Sequence, residues 1–357
     1  MASYSISELR EKIRRYPKKD LIQRPTPFYK LENLSRVLGG PQIYIKRDDL
    51  TGLAFGGNKS RKLEYIMQDI LDKDADVVIT WAALQSNWCL QTAAAAKKYG
   101  ITPILVLFKI YDLPEEYDGN LLLDSLLGAD IRIRDAKKGQ LVREEEAEEL
   151  LADVINEVKQ KGLKPYFAPI GGSMVGGSMD IPLGSISYVD AYVELIEQAS
   201  ELDVEIDCVL HASGSGGTQA GLTVGAVAMG NKVRVIGISV SEDKRSYSER
   251  VWKISRDTEK SLHLDIQTKL NDVVVLDEYL REGYGVVNKE VSEAIRIIAE
   301  NEGIFLDPVY TGKAMAALID LCKKSHFKKT DNVVFFHTGG TAALFPNKHN
   351  LMRLAKS

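Results

Sequence analysis

DCVLHASGSGGTQAGLTVGAVAMGNKVRVIGISV, residues 207–240, holds two runs rich in Val and Ile around a helix-forming stretch, with glycines at the first joint. The runs at 207–213 and 232–240 read as strands, and the stretch between them is long enough to be the helix of a parallel crossover. The whole is a βαβ unit. Gly214, Ser215, Gly216, Gly217 and Thr218 lie between strand and helix, where backbone N–H groups and the positive end of a helix dipole face an anion. A phosphate suits such a place. No Lys-Ser or Lys-Thr pair closes the loop as in a Walker sequence, and the regular Gly-x-Gly-x-x-Gly dinucleotide spacing is missing. On its own the loop reads equally well as a tight turn.

Further strands are expected at 42–47, 76–81, 102–108 and 332–337, alternating with helical patterns. Between the second and third, SNWCLQTAAAAKKYG reads as a helix opening near Ser86 and stopping at Gly100, which completes another βαβ unit. The fold class is therefore α/β with mainly parallel sheets. Two such units, in 357 residues set against a prior of about 150 per domain, suggest two domains. REEEAEELLADVINEVKQKG carries Glu144, Glu145, Glu146, Glu148 and Glu149, read as the solvated first turns of a helix rather than a metal site. GGSMVGGSMDIPLGSIS, residues 171–187, is the one long loop expected.

Composition is that of an ordinary globular protein, 45% hydrophobic and 27% charged. A formal net charge of -4, with basic residues scattered among acidic ones, gives no footprint for nucleic acid. No segment approaches the roughly 20 apolar residues of a membrane span, and MASYSISELREKIRRYPKKD lacks the apolar core of a signal peptide, so a cytoplasmic location is expected. Cys89, Cys208 and Cys322 sit in apolar surroundings and read as reduced packing residues. The five histidines form no pair at ligand spacing, so no metal site is expected.

The second chemical feature is KRDDLTGLAFGGNKSRKLEY, residues 46–65, where two glycines and an asparagine precede Lys59 and a helix begins at Ser60. The helix dipole disfavours a cation there. A lysine whose pKa is lowered by burial or positive surroundings becomes a nucleophile or base, whereas an ordinary surface lysine does neither.

GGNKSRKLEY (56–65), LQSN (84–87), SGSGGTQAG (213–221), GYG (283–285), DPVYTGKAM (307–315) and HTGG (337–340) together resemble the tryptophan synthase beta-type, or fold type II, pyridoxal-phosphate enzymes. Within that group they resemble the branch of D-cysteine desulfhydrase and 1-aminocyclopropane-1-carboxylate deaminase, in order over roughly residues 24–345. The resemblance implies two open, mainly parallel twisted sheets flanked by helices, with pyridoxal 5'-phosphate in the cleft between two domains. Residues 1–60 and 172–357 would form the large cofactor-binding domain, and 61–171 the small one bearing Gln-Ser-Asn. A homodimer is implied as well.

Carried over residue by residue, the resemblance makes Lys59 the Schiff-base lysine and proton carrier. Asn87 would hold the cofactor's phenolic oxygen and Gly214 to Thr218 its phosphate, with charge added by Lys62. Ser86 would lie near the substrate carboxylate and relay protons, beside Gln85 and Trp88. Tyr284 and Tyr310 would lie by the ring, Tyr310 close to the reacting carbons. Thr311 stands where the deaminases resemble one another in a glutamate that keeps the ring nitrogen protonated. A threonine hydroxyl cannot compensate a pyridinium charge. Thr338 is typical of the desulfhydrases, where the deaminases have leucine.

Both threonines point to β-elimination on a small amino acid, with D-cysteine giving pyruvate, sulfide and ammonia as the reading the resemblance supports best. The rivals are lyases for cysteate, serine or diaminopropionate, a cyclopropane deaminase, a cofactor-binding protein without catalysis, and a nucleotide-dependent oxidoreductase that would leave Lys59 unexplained. Trp81, Trp88 and the 171–187 loop depart from the family's pattern beside the expected substrate position.

Overall fold

The computed structural model describes residues 3–110, 117–136, 142, 144–281 and 283–355. In chain order its strands are β1 (Phe28–Lys30), β2 (Gln42–Arg47), β3 (Val77–Ala83), β4 (Thr102–Lys109), β5 (Asp130–Asp135), β6 (Pro165–Phe167), β7 (Cys208–Ser213), β8 (Arg234–Ser239), β9 (Val274–Leu276) and β10 (Asn332–His337). They form a six-stranded sheet in the order β1-β2-β10-β7-β8-β9 and a four-stranded sheet in the order β5-β4-β3-β6. All pairings are parallel except that of β1 with β2. Phe335 of β10 lies opposite Ile45 on one side and Leu210 on the other, so the most apolar strands run through the middle.

Helices cover both faces of each sheet, and for that reason the central strands read as unbroken apolar runs. On the larger sheet, one face packs Leu210, Ile238 and Phe335 against helices Lys289–Glu302 and Thr311–Lys323. The other packs Val209 and Phe336 against Leu183–Glu201 and Gly217–Met229. The smaller sheet meets helix Glu144–Gln160 through Ala147, Leu151, Val154 and Val158, a stripe at helical spacing. Glu146 and Glu149 of that helix are exposed, and the described residues contain no grouping able to hold a metal ion.

Strand order decides where a ligand goes. From β7 the chain steps outward to β8 and β9, then returns to place β10 on the other side of β7. Likewise it steps from β3 to β4 and β5, then returns to place β6 beside β3. Each reversal opens a crevice beyond the carboxyl ends of two neighbouring strands, the place where open α/β sheets bind ligands. Gly214–Thr218 follows β7, Thr338–Gly340 follows β10, Leu84–Asn87 follows β3, and Ala168–Ser173 follows β6.

Two sequence expectations change. The loop expected at 171–187 is shorter: a helical turn at Ile170–Gly172 precedes it, and helix Leu183–Glu201 begins inside it. Gly184 lets this helix start against the turn, since a side chain there would fall 2.4 Å from the Gly172 carbonyl oxygen. The division placed between residues 60 and 61 falls inside one continuous helix, Asn58–Asp72.

Candidate active site

Lys59 is the second residue of helix Asn58–Asp72, half-buried, with its Nζ donating to Asn58 Oδ1 at 3.2 Å. Burial lowers its ammonium to about 8, and the charge of Asp307 offsets part of that fall. Gln91, on helix Asn87–Lys98, fixes the turn from outside: its Nε2 donates to Gly56 O at 2.8 Å and its Oε1 accepts from Ser60 Oγ at 2.8 Å. From the other side, the Asn58 N–H donates to Thr338 O at 3.0 Å, next to a bridge between Gly57 and Gly339. The lysine turn is thus held between the strand ends of both sheets.

One helical turn on, Lys62 is fully buried, with Ser173 Oγ at 3.5 Å and the Tyr188 ring at 5.8 Å. Among the described residues no carboxylate lies within ion-pair reach of it. Burial, with a further push from the charge of Lys59, takes its pKa well below the ordinary lysine range. The hydroxyl of Ser173 bonds that of Ser215 at 2.8 Å, and Asn58 Nδ2 donates to Thr218 Oγ1 at 3.1 Å. Lys62, Ser173, Asn58 and the start of helix Gly217–Met229 therefore converge on the Gly214–Thr218 loop. The helix start adds N–H groups without helical acceptors. A buried amine without a carboxylate among the described residues, set among hydroxyl and amide donors, is the chemistry a phosphate monoester would complete, since its charge would favour the ammonium form.

On the smaller sheet's side, Ser86 caps helix Asn87–Lys98 by accepting from the Cys89 N–H at 3.1 Å. Asn87 Oδ1 accepts from Asn120 Nδ2 at 2.8 Å, which leaves its own Nδ2 directed at Gly340, 2.9 Å from where a side chain there would begin. Two neighbours expected at the substrate are engaged in other contacts. Gln85 is occupied by the 118–120 turn, its Oε1 accepting from the Asn120 N–H at 2.8 Å and its Nε2 donating to Asp118 O at 3.0 Å. Trp88 is buried in the core with its indole N–H on Thr80 Oγ1 at 2.7 Å, and Trp81 stacks on Phe167 in the apolar layer under helix Glu144–Gln160. Next to a tight strand-to-helix turn, adjacency in sequence does not mean a shared direction.

Tyr284 and Tyr310 meet hydroxyl to hydroxyl at 2.5 Å with their rings edge to face. Tyr310 also lies 3.4 Å from where a side chain on Gly214 would begin, so the pair stands over the entrance to the loop. Burial, then Tyr310 and Asp307, push the Tyr284 phenol well above its ordinary value. Asp307, fully buried, accepts from the N–H groups of Val309, Tyr310 and Thr311, each at 2.8 Å, and from Thr311 Oγ1 at 2.6 Å. Thr311 Oγ1 also accepts from the Asp307 N–H at 2.9 Å. Thr311, expected at the ring nitrogen, here directs its one hydroxyl proton at Asp307. Thr338, at the end of β10, is buried beside the lysine turn.

Asp307, Gln91 and His211 were not picked out from the sequence. Asp307 lay within the DPVYTGKAM stretch, and its three-residue spacing to Tyr310 is the available signal of a capping acid. His211 is buried on β7, bonded through Nδ1 to Ala212 O at 2.9 Å, and burial first, then Lys62 and Lys59, lower it to about 4. It contributes a neutral ring beneath two lysines.

This fold and this site define a class: the chain belongs to the pyridoxal-phosphate dependent enzymes, the family matching residues 19–339. Within that class it is similar to D-cysteine desulfhydrase of Serratia proteamaculans, 38% identical over 340 residues that cover 94% of this chain and 98% of the relative. It is also 39% identical over 332 residues, 93% of this chain and 94% of the relative, to a protein of Pyrococcus furiosus provisionally named a 1-aminocyclopropane-1-carboxylate deaminase. The crystal structure of an ACC deaminase homologue superposes with a TM-score of 0.86 at 37% identity, covering 97% of this chain and 98% of that one. The chain is an enzyme of the pyridoxal-phosphate-dependent lyase group.

Proposed function

We propose that the chain eliminates a β substituent from a small amino acid, with D-cysteine and water giving pyruvate, sulfide and ammonia. The observation that carries this reading is the pairing of Lys59, whose ammonium burial lowers to about 8, with Lys62, a buried amine left without a carboxylate among the described residues beside a glycine loop. Lys59 would hold the cofactor, Lys62 and Gly214–Thr218 its phosphate, and Asn87 its ring oxygen. When bound, pyridoxal phosphate supplies the electron sink that lets bonds at the substrate α-carbon break.

The freed Lys59 amine takes the α proton, since a pKa of about 8 leaves an appreciable neutral fraction at physiological pH. The Tyr284 and Tyr310 hydroxyls are hydrogen-bonded at 2.5 Å, and one of them would donate a proton to the leaving group. Ser86, Asn87 and Thr338 border the remaining space and would orient the substrate. The relatives named D-cysteine desulfhydrase support the substrate, as do Thr338 and the lack of a glutamate at 311. A homodimer, with light scattering at twice the chain mass, is the assembly we propose.

The test is turnover of a panel of D- and L-amino acids, scored by 2-oxo acid and sulfide. Pyruvate and sulfide from D-cysteine but not L-cysteine are expected, and Lys59→Ala should lose the bound-cofactor visible band and about 10³-fold or more in kcat. Turnover confined to amino acids without sulfur would overturn the substrate.

A further inference from the structure

Asp124 lies on helix Gly119–Leu126, fully buried, and among the described residues neither of its carboxylate oxygens has a partner. One turn earlier on the same helix, Asn120 is equally buried. Its Nδ2 donates to Gln85 O at 2.9 Å and to Asn87 Oδ1 at 2.8 Å, yet its Oδ1 has no donor. Residues four apart share a helix face, with Cβ atoms about 5–6 Å apart. The two deficits are complementary. One is an amide oxygen in want of a donor, and the other is a carboxyl group that owns a donor only when protonated.

The polarity of the chain of bonds gives such a pairing a purpose. Asn87 Oδ1 is taken by Asn120, so Asn87 presents its Nδ2 toward Gly340 and the site. Were the Asn120 amide turned over, its oxygen would face two other oxygens, Gln85 O and Asn87 Oδ1, and Asn87 would lose the contact that orients it. A donor on Asn120 Oδ1 forbids that flip.

We propose that Asp124 is a positioning residue acting as a neutral acid: its O–H donates to Asn120 Oδ1, so that Asn120 holds Asn87 with its amide donor toward the site. The proposal rests on the reading of Asn87 as a cofactor contact. Burial alone pushes the Asp124 carboxyl up to about 8. From helix Asn87–Lys98 it faces the buried Cys89 thiol, itself pushed up first by burial and then by Asp124. Lys97 of that helix reaches only the Gly128 turn, 3.7 Å from where a side chain on Gly128 would begin. The Thr341–Leu344 turn packed on the helix has no titratable side chain, and the Lys348–Asp118 ion pair sits at the helix's exposed start.

Two variants of the holoenzyme test this, read by the visible cofactor band as well as by turnover. Asp124→Asn supplies a permanent N–H donor; it should keep the wild-type band and kcat at neutral pH and lose any wild-type alkaline transition of the band centred near pH 8. Asp124→Ala should shift the band and lower kcat about tenfold at every pH. An Asp124→Ala enzyme with the wild-type band and kcat overturns the proposal, as does Asp124→Asn impaired as deeply as Asp124→Ala. If Asp124→Ala does not fold, persistence of the alkaline transition in Asp124→Asn overturns it. A band that moves as expected while D-cysteine is not turned over supports the relay and sinks only the substrate.

Discussion

Arg61 and Lys62 are consecutive residues on one helix, both buried and both long cations, and the fold surrounds them in opposite ways. Arg61 donates to Asp48 at 2.8 and 2.9 Å and to Glu194 at 2.7 and 3.1 Å, within a group completed by Lys46, Thr26 and the Tyr188 hydroxyl. Lys62 has a serine hydroxyl at 3.5 Å and the face of the Tyr188 ring. A cation with its full set of carboxylates is architecture, since removing it strands the opposite charges. A buried amine without them is driven toward its neutral form and is completed as a cation by an anion from outside.

Arg61→Met should break the architectural half and have the largest effect. With Glu194 left bonded to Lys46 and Thr26, and Asp48 to neutral hydroxyls alone, urea unfolding should show a loss of about 3–5 kcal/mol. Lys62→Met should act in the opposite sense. The cofactor-free protein should be as stable as wild type or more so, while cofactor affinity falls by about 2 kcal/mol or more in a fluorescence titration. An equal loss of stability in both variants would erase the distinction between the two residues.

Titration separates them again. Burial pushes Glu194 up, but Arg61 and Lys46 overcome it and hold the carboxyl below its ordinary range. A group depressed in this way contributes stability above its unfolded pKa of about 4.3 and loses it as pH falls. Lys62 is depressed too, but as a cation: the unfolded chain binds its proton more readily, so stability of the cofactor-free protein rises as pH climbs toward the ordinary lysine value of about 10.4. Melting temperature against pH should therefore lose part of its acid limb in Arg61→Met and its alkaline gain in Lys62→Met. The smallest effect is expected at Thr311, where Thr311→Val removes a bond to Asp307 and costs about 1–2 kcal/mol. A cofactor band unchanged in that variant sharpens the assignment of Thr311 to architecture, and a shifted band would return it to the ring.

The larger features of this molecule are written locally. The strands expected at 42–47 and 332–337 match β2 and β10 to the residue, because QIYIK alternates buried isoleucines with polar and aromatic residues and NVVFFH is an almost unbroken apolar run. The three-residue strands Phe28–Lys30, Pro165–Phe167 and Val274–Leu276 are too short to show a period, and DIRIRD of β5 has the charged alternation of a sheet edge. At the site, Lys59 and the 214–218 loop were legible because backbone requirements force glycine and a helix start at fixed offsets. The contacts of Trp88 and Gln85 were not legible, because a side chain's direction depends on how the turn after β3 bends. Asp307 and Asp124 are ordinary acids in the sequence and become distinctive only through burial, which distant residues create.

Gln91 gives the architecture a mechanical meaning. It belongs to the helix that follows β3 of the smaller sheet, yet its amide grips Gly56 and Ser60 on either side of Lys59. The turn that carries Lys59 is therefore fastened to the smaller sheet's helix as well as to the larger sheet, with one glutamine as the linkage.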